Sequence, residues 1–312
     1  MKVRMLIIRL WSLLKEAAAA WSEDYAPSMG AALSYYTVFS LAPVLLIVVT
    51  VAGLVFGQDV ARGALLEQIV DLMGANAGRA VEDMLIDVSK PTQGALATMV
   101  GLVVLLVGAT TVFGELQDAL DRIWRAPQRV RSGGVWRLFR TRWLSFGMVL
   151  GLGFLLIVCL VLSAAVSALG KWSPIFGRWE VLAQTLTFLF GLVVTTLGFA
   201  MIYKVMPRVK VQWRDVWIGA AVTALMFSLG RFLIGLYLGK SDVASGFGAA
   251  GSVVIVFVWV YYSAQIFLLG AEFTWLYAKT YGSMKDVLVR EELGSTSSEI
   301  GTANDSLGVP SM

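Results

Sequence analysis

The run from Ser252 to Lys279 constrains the fold more than any other part of the chain. Its first 20 residues carry no charge, and about 20 apolar residues are enough to cross the core of a bilayer. One acid, Glu272, then appears seven residues before Lys279. A carboxylate there is unfavourable unless it faces a protein interior, a wet cavity or a basic partner. The run therefore predicts a membrane helix in which Glu272 is either a packing residue or part of a transport or gating site.

The composition extends this interpretation to the whole chain. Of its 312 residues, 58% are hydrophobic and 15% are charged, whereas soluble domains average about 45–50% and about 25%. The chain has no histidine and one cysteine, Cys159, which excludes an internal disulfide, a Cys/His zinc site and histidine-based catalysis. We therefore expect an all-α integral membrane protein that needs no cofactor or metal and is not an enzyme.

Six apolar runs predict the membrane spans. They cover about residues 31–57, 95–114, 143–169, 183–203, 216–238 and 252–278. We expect them to form a six-transmembrane-helix bundle, a membrane domain at residues 29–282. Pro43 removes a backbone hydrogen bond within the first span and predicts a kink. Tyr35, Tyr36 and Ser40 make this half of the span polar, so it should face other helices or water.

The remaining segments flank or connect these spans. Residues 1–28 combine Trp and basic residues at helical spacing, which predicts an amphipathic interfacial helix ending at Pro27. Residues 58–93 suggest two short helices, broken near Gly74, that form an insertion on the outer face. Residues 283–312 are polar and rich in Ser, Thr and Gly, so we expect a disordered cytoplasmic tail.

The loop at 115–142 is strongly basic. It contains seven arginines: Arg122, Arg125, Arg129, Arg131, Arg137, Arg140 and Arg142. Alone, this pattern would suit RNA, but beside a span it indicates a cytoplasmic loop that contacts anionic headgroups. We therefore expect lipid partners and no nucleic acid. Glu115, Asp118 and Asp121 could hold a metal, although i,i+4 spacing of two of these acids to Arg122 and Arg125 favours local ion pairs.

The distribution of basic residues predicts the topology. Eighteen of the 25 Lys and Arg residues lie on the side of the chain termini and six on the opposite side, which places both termini in the cytoplasm. Arg231, within span five, should then lie in the outer third of the membrane, and Glu272 near the inner boundary. The two should differ in depth by roughly 10–20 Å. We expect Glu272 to pair instead with Lys204, and Arg231 to reach outer headgroups or an upper cavity.

Three stretches resemble one known family. They are ALSYYTVFSLAP at Ala32–Pro43, YKVMP at Tyr203–Pro207 and QIFLLGAEF at Gln265–Phe273. Together they resemble the YihY/BrkB family of bacterial inner-membrane proteins over roughly residues 15–282. The resemblance implies a multi-pass inner-membrane protein with both termini inside, and a family in which some members are linked to serum resistance and some to envelope lipids. The family's former label, ribonuclease BN, fits poorly because the chain has no histidine.

Two functions fit these observations. The first is a transporter or flippase of an envelope lipid or another amphipathic anionic molecule. Its candidate path or gating residues are Glu272, Arg231, Lys204, Tyr35, Tyr36, Ser40 and Pro43. The alternative is a non-transporting scaffold in envelope assembly, with the outer insertion and the arginine loop as docking surfaces for a partner or a second copy. The sequence has no G-x-x-x-x-G-K-[ST] loop, so energy for transport would come from a gradient or a partner.

Overall fold

Helices form every regular element that the structure describes. The structure is a computed structural model and describes residues 2–89, 111–126, 179–209, 211–240 and 251–285. In chain order the helices are α1 (Lys2–Glu23), α2 (Ala26–Phe56), α3 (Gln58–Met73), α4 (Ala75–Ser89), α5 (residues 111–123), α6 (Trp179–Val205), α7 (Trp213–Lys240) and α8 (Gly251–Thr280). Within these ranges there is no strand, as the all-α prediction requires.

Three of the described helices are long and apolar enough to cross a membrane. The qualifying stretches are Phe188–Val205 in α6, Trp213–Tyr237 in α7 and Val253–Thr280 in α8. They coincide with predicted spans four, five and six. Predicted span one, residues 31–57, lies along α2, a helix of 31 residues that ends one residue earlier, at Phe56. Predicted spans 95–114 and 143–169 lie largely or wholly outside the described residues, so the count of six stays a prediction.

The junction between α1 and α2 differs from the sequence prediction. Helix α1 ends at Glu23, four residues before Pro27, and Tyr25 adopts a left-handed backbone with φ of 58°. Pro27 lies in the first turn of α2, where its missing N–H would have had no partner within the helix. The prediction that Pro27 ends the first helix is therefore wrong, because this proline starts the second. Helix α2 then continues through Pro43 to Phe56.

Helices α3 and α4 form a hairpin that packs into the bundle. Gly57 and Gly74 separate the helices with φ of 88° and 86°, a conformation that favours glycine. The hairpin and its neighbours share a buried group, here called the upper cluster: Val38, Leu45, Ile69, Met73, Ala80, Val81, Leu85, Ile234, Ile255 and Val256. Residues of α2, α7 and the start of α8 thus pack against the hairpin, which is part of the core rather than a loosely attached cap.

Helix α8 is the centre of the described fold and crosses α7 at close range. Thr274 of α8 packs over Gly219 of α7, and Thr223 of α7 packs over Gly270 of α8, so a Cβ atom at either glycine would overlap the threonine side chain. Each threonine hydroxyl donates to the carbonyl four residues earlier in its own helix, at 2.8 Å for Thr223 and 2.6 Å for Thr274. These reciprocal contacts set an antiparallel register between the two helices.

A second buried group surrounds the end of α8. This lower cluster includes Ala26, Leu33, Leu120, Ile123, Trp124, Tyr203, Val216, Leu268, Ala271 and Trp275. The hydroxyl of Tyr203 donates to the carbonyl oxygen of Phe267 at 2.7 Å and lies 3.3 Å from Thr223 Oγ1. The lower cluster therefore joins α2, α5, α6, α7 and α8, and it forms the frame around Glu272.

Candidate functional site

Two strained turns meet beside the lower part of α8. Tyr25 and Arg125 are the two non-glycine residues with positive φ in the described ranges, at 58° and 49°. A left-handed conformation costs about 1–2 kcal/mol for a residue with a Cβ atom. Such residues concentrate at functional sites, where the surrounding structure holds them in place. Their position beside Glu272 therefore makes this region a candidate functional site.

The turn at Arg125 closes the end of α5. The N–H of Ala126 donates to the carbonyl of Asp121 at 2.8 Å, and the N–H of Arg125 donates to that of Arg122 at 3.1 Å. This pair of bonds is typical of a Schellman motif, in which glycine is usual at the position of Arg125. The preceding residue, Trp124, is fully buried. Its ring meets the ring of Trp275 edge to face, with centroids 5.9 Å apart.

The two turns also contact each other. The Arg122 guanidinium lies 5.5 Å from the centroid of the Tyr25 ring, within the range of a cation–π interaction. Helix α5 therefore connects the α1–α2 junction to the lower cluster.

Arg208, just after α6, anchors the other side of α5. Its Nε lies 3.1 Å from Asp121 Oδ2, its N–H donates to Asp121 Oδ1 at 2.8 Å, and its Nη2 lies 3.9 Å from Asp118 Oδ1. The side-chain amide of Gln117 donates to the Met206 carbonyl at 3.2 Å. The sequence favoured pairing of Asp118 and Asp121 with Arg122 and Arg125. Arg208, which contacts both acids, belongs instead to the turn that follows α6, because α5 docks against that turn.

Glu272 is completely buried in this frame, with 0% of its surface exposed. Neither of its carboxyl oxygens accepts a hydrogen bond from an N–H or hydroxyl group among the described residues, and the same holds for Asp24 Oδ2. The charged groups that act on Glu272 are the Asp24 carboxyl and the Arg125 guanidinium. Asp24 belongs to the strained α1–α2 junction, so the site joins three separate parts of the chain.

Two buried indole groups accompany the carboxyls. The Nε1 donors of Trp21 and Trp124 have no acceptor among the described residues. Trp21 lies three residues before Asp24, and Trp124 directly precedes Arg125. Buried polar groups normally find a partner in protein or ordered water. Donors and acceptors without protein partners therefore lie within the same part of the lower cluster. The described residues contain no group of three or more metal-ligating side chains.

The predicted pair between Glu272 and Lys204 is not formed. Lys204 Nζ donates to the carbonyl oxygen of Val211 and lies 5.5 Å from the centroid of the Trp213 ring. Val211 lies in the short connection between α6 and α7, and Trp213 is the first residue of α7. Lys204 thus stabilises the turn that follows its own helix, while Glu272 faces Asp24 and Arg125.

Arg231 lies far from Glu272 along the bundle. Its neighbour Gly230 packs against Tyr262 and Ile266 of α8. Arg231 is therefore level with about residue 262, ten residues from Glu272, which corresponds to about 15 Å along a helix. This separation agrees with the depth difference expected from the sequence. The Arg231 side chain is exposed on the described surface.

The polar residues of α2 divide between two environments. Ser34 and Ser40 are buried and donate to carbonyls within their own helix, those of Ala31 at 2.8 Å and Thr37 at 3.1 Å. Tyr35 is 52% exposed, and its ring lies 5.4 Å from that of Tyr36. The expectation that this half of the span faces other helices or water fits the buried serines, and for Tyr35, exposed on the described surface, it stays a prediction.

The arginine loop is described only at its start. Arg122 and Arg125 face Tyr25 and Glu272, whereas Arg129, Arg131, Arg137, Arg140 and Arg142 lie outside the described residues. Sequence reasoning found Glu272 but missed Asp24 and Tyr25. The available signal was indirect: Asp24-Tyr25 precedes a proline and therefore lies where a helix can start.

The chain is similar to known proteins over most of its length. A family model described as Virulence factor BrkB matches residues 17–289. No solved structure matches the chain.

Several curated proteins share extended similarity with the chain, and all three described here carry the name UPF0761 membrane protein. One from Pseudomonas aeruginosa is 31% identical over 252 residues, which is 80% of this chain and 58% of the relative. One from Stenotrophomonas maltophilia is 30% identical, covering 77% of this chain and 55% of the relative. One from Alcanivorax borkumensis is 29% identical, covering 81% of this chain and 57% of the relative. The chain thus spans less than two thirds of the length of these relatives.

Proposed function

Because the chain belongs to the virulence factor BrkB family, whose similar curated members are named membrane proteins, we propose that it is a multi-pass transporter of the bacterial inner membrane. Its substrate is an envelope lipid or another amphipathic anionic molecule. Six spans with both termini in the cytoplasm complete the proposal, as the distribution of basic residues suggests.

The observation that carries this proposal is the burial of Glu272. Glu272 lies inside an apolar helix and has no hydrogen-bond donor among the described residues. Such a carboxyl group lowers the stability of the fold, so stability does not explain its presence. Ionisable groups in spans are typically retained for ion or substrate pathways. The surrounding strain at Tyr25 and Arg125 supports the same interpretation, since it too reduces stability.

The charges are arranged along the bundle in a way that suits an anionic amphipathic substrate. Arg125 lies at the lower level and Arg231 about 15 Å higher, so a headgroup meets one positive charge near each end of the path. Exposed apolar side chains next to Arg231, Leu229 and Phe232, suit acyl chains that stay in the bilayer. Such a path moves the headgroup across while the tails remain in lipid.

Reconstitution tests this proposal directly. The purified full chain is placed in liposomes, and the transfer of labelled anionic phospholipid between leaflets is compared with protein-free liposomes. We expect faster transfer with the wild-type chain, and loss of the gain in Glu272→Gln and in Arg231→Leu. Asp215→Asn is the matched control, because Asp215 is also a buried carboxylate but is bound by Ser283. Transfer no faster than in empty liposomes, for every anionic lipid tested, would reject the proposal.

A non-transporting scaffold is the second candidate function, because one surface exposes apolar side chains. Leu54 and Val60, at the turn between α2 and α3, are 84% and 64% exposed. Deleting the whole hairpin would not test this surface, because Ala80, Val81 and Leu85 pack in the upper cluster. The variant Leu54→Ser with Val60→Ser leaves that packing intact. A phenotype in cells for this variant, without any change in liposome transport, would favour the scaffold.

A further inference from the structure

We propose that the end of α6 and the start of α7 form a binding site for one anionic phospholipid, taken from the leaflet on the side of the chain termini. The site, here called the turn patch, consists of Lys204, Trp213, Arg214 and Trp217. It is separate from the arginine loop at 115–142. The inference goes beyond the proposed function, because a lipid bound in this way stays at its site whether or not the chain transports another molecule.

The turn patch lies where a membrane helix meets the headgroups. Trp213 is the first residue of α7 and also the first residue of the stretch that is long and apolar enough to cross a membrane. Indole side chains favour this level, because the ring is apolar while its N–H can face water. Trp213 and Trp217 are 51% and 41% exposed, and their ring centroids are 6.5 Å apart. Two neighbouring exposed indoles thus mark the headgroup level on α7.

The packing of α6 against α7 brings the end of one helix beside the start of the other. The Tyr203 hydroxyl lies 3.3 Å from Thr223 Oγ1, and the ring centroids of Phe199 and Phe227 are 5.6 Å apart. A step of four residues back along α6 therefore matches a step of four residues forward along α7. The two helices run antiparallel, so Lys204 reaches the first turn of α7.

Two basic side chains of the turn patch have donors to offer an anion. Lys204 Nζ lies 5.5 Å from the centroid of the Trp213 ring and donates to the carbonyl oxygen of Val211. An ammonium group has three donors, so two remain for phosphate oxygens. Arg214 is exposed and forms no ion pair with a described residue. Its guanidinium can bind two oxygens of a phosphate at once.

The acids near the turn patch are engaged elsewhere. Asp121 accepts from the Arg208 side chain, with 3.1 Å between Nε and Oδ2, and Asp118 lies 3.9 Å from the same guanidinium. Asp215 is buried and accepts from the N–H and hydroxyl of Ser283 at 2.8 and 2.7 Å. The positive charges of the turn patch are therefore complementary to an anionic headgroup.

An apolar stripe continues from the turn patch along α7. Trp213, Trp217 and Leu225 are all exposed and are separated by multiples of four residues, which places them on one broad face of the helix. Trp213 and Leu225 are about 18 Å apart along the axis, whereas the hydrocarbon of one leaflet is about 15 Å thick. An acyl chain can therefore lie along this stripe while its phosphate contacts Lys204 and Arg214. A soluble anion would use the charges but not the stripe, so the surface fits a phospholipid.

Native mass spectrometry of the purified full chain tests the site. The chain is titrated in detergent with phosphatidylglycerol or with phosphatidylcholine of the same acyl chains. We expect phosphatidylglycerol to bind more tightly. Arg214→Gln should weaken its binding about fivefold, as expected for one basic contact at a membrane surface, and should leave phosphatidylcholine binding unchanged. Arg79→Gln is the matched control, because it removes the same charge from an exposed arginine of α4 and should leave both affinities unchanged.

Two further measurements separate the parts of the inference. Trp213→Leu combined with Trp217→Leu should weaken the binding of both lipids, because it removes the indoles and keeps the charges. Inorganic phosphate at the concentration of the lipid should not displace phosphatidylglycerol.

Three outcomes would overturn the inference. They are equal affinity of the wild-type chain for the two lipids, equal losses in Arg214→Gln and Arg79→Gln, and displacement of the lipid by inorganic phosphate at equal concentration. If Arg214→Gln fails to fold, Lys204→Gln decides by the same comparison. Absence of lipid transfer in liposomes would reject the proposed function and leave this result unaffected.

Discussion

At the residue scale, Glu272 and Asp215 are both buried carboxyl groups, but their surroundings differ. Asp215 is 2% exposed and accepts two hydrogen bonds from Ser283, whereas Glu272 has no N–H or hydroxyl donor among the described residues. Replacing a buried polar group costs stability mainly when its partners are left unsatisfied. The two acids should therefore respond in opposite directions to an apolar substitution of similar size.

We predict that Glu272→Met leaves the free energy of unfolding unchanged or raises it by about 1 kcal/mol or more, since burying a carboxyl group without a hydrogen-bond donor is unfavourable and an apolar side chain of similar size avoids that cost. Asp215→Leu should lower it by about 1–3 kcal/mol, because it leaves the N–H of Ser283 without its acceptor. Thermal unfolding of the purified variants in the same detergent measures both. If Glu272→Met proves the more destabilising of the two, Glu272 is a packing residue and the functional interpretation fails.

The residues of the site differ in how visible they are from the sequence. Glu272 is conspicuous because it is an acid within an apolar run. Asp24 lies in a polar stretch, Ser22-Glu-Asp-Tyr25, where an acid is ordinary, and it precedes Glu272 by 248 residues. No local pattern encodes the proximity of two residues so far apart in the chain. The prediction that Lys204 pairs with Glu272 was wrong for a similar reason. The hydrogen bond from Lys204 to Val211 depends on the shape of one turn, which no sequence pattern shows.

At the element scale, the close crossing of α7 and α8 depends on glycines that accept threonine side chains. We predict that Gly219→Ala lowers stability by about 1–3 kcal/mol, because its Cβ would overlap Thr274 and force the helices apart. The matched control is Gly235→Ala on the same helix, where a Cβ would meet no atom within 4 Å in the described structure. That change should be neutral or stabilising by up to about 1 kcal/mol. Equal unfolding temperatures for the two variants would contradict the close crossing.

Helix extents were largely predictable, and their junctions were not. Predicted spans 183–203, 216–238 and 252–278 fall within α6, α7 and α8, because hydrophobic length determines where such helices lie. The helices extend beyond the apolar runs by one to four residues, since polar residues can continue a helix outside the hydrocarbon core. The end of α1 was misplaced because a proline can end one helix or begin the next.

At the scale of the whole molecule, topology is the decisive prediction. Eighteen basic residues on the side of the termini should hold that side in the cytoplasm. We predict that a reporter fused after Met284 is active only when assayed inside the cell. A second fusion in the α3–α4 hairpin, at the turn by Gly74, should give the opposite result. External activity of the Met284 fusion would reverse the proposed orientation and place Asp24 and Glu272 toward the other side of the membrane.

The site draws on residues 24, 125 and 272, so its assembly follows the order of synthesis. A ribosome adds about 5–20 residues per second, and the interval between Arg125 and Glu272 therefore lasts about 7–30 s. During that interval the Asp24 carboxyl and the Arg125 side chain exist without Glu272 and without the α8 surface that forms much of the lower cluster. A nascent chain stalled before α8 would expose these groups, along with the apolar side chains that α8 later covers. Such a chain would be a natural substrate for the proteases that remove incomplete membrane proteins.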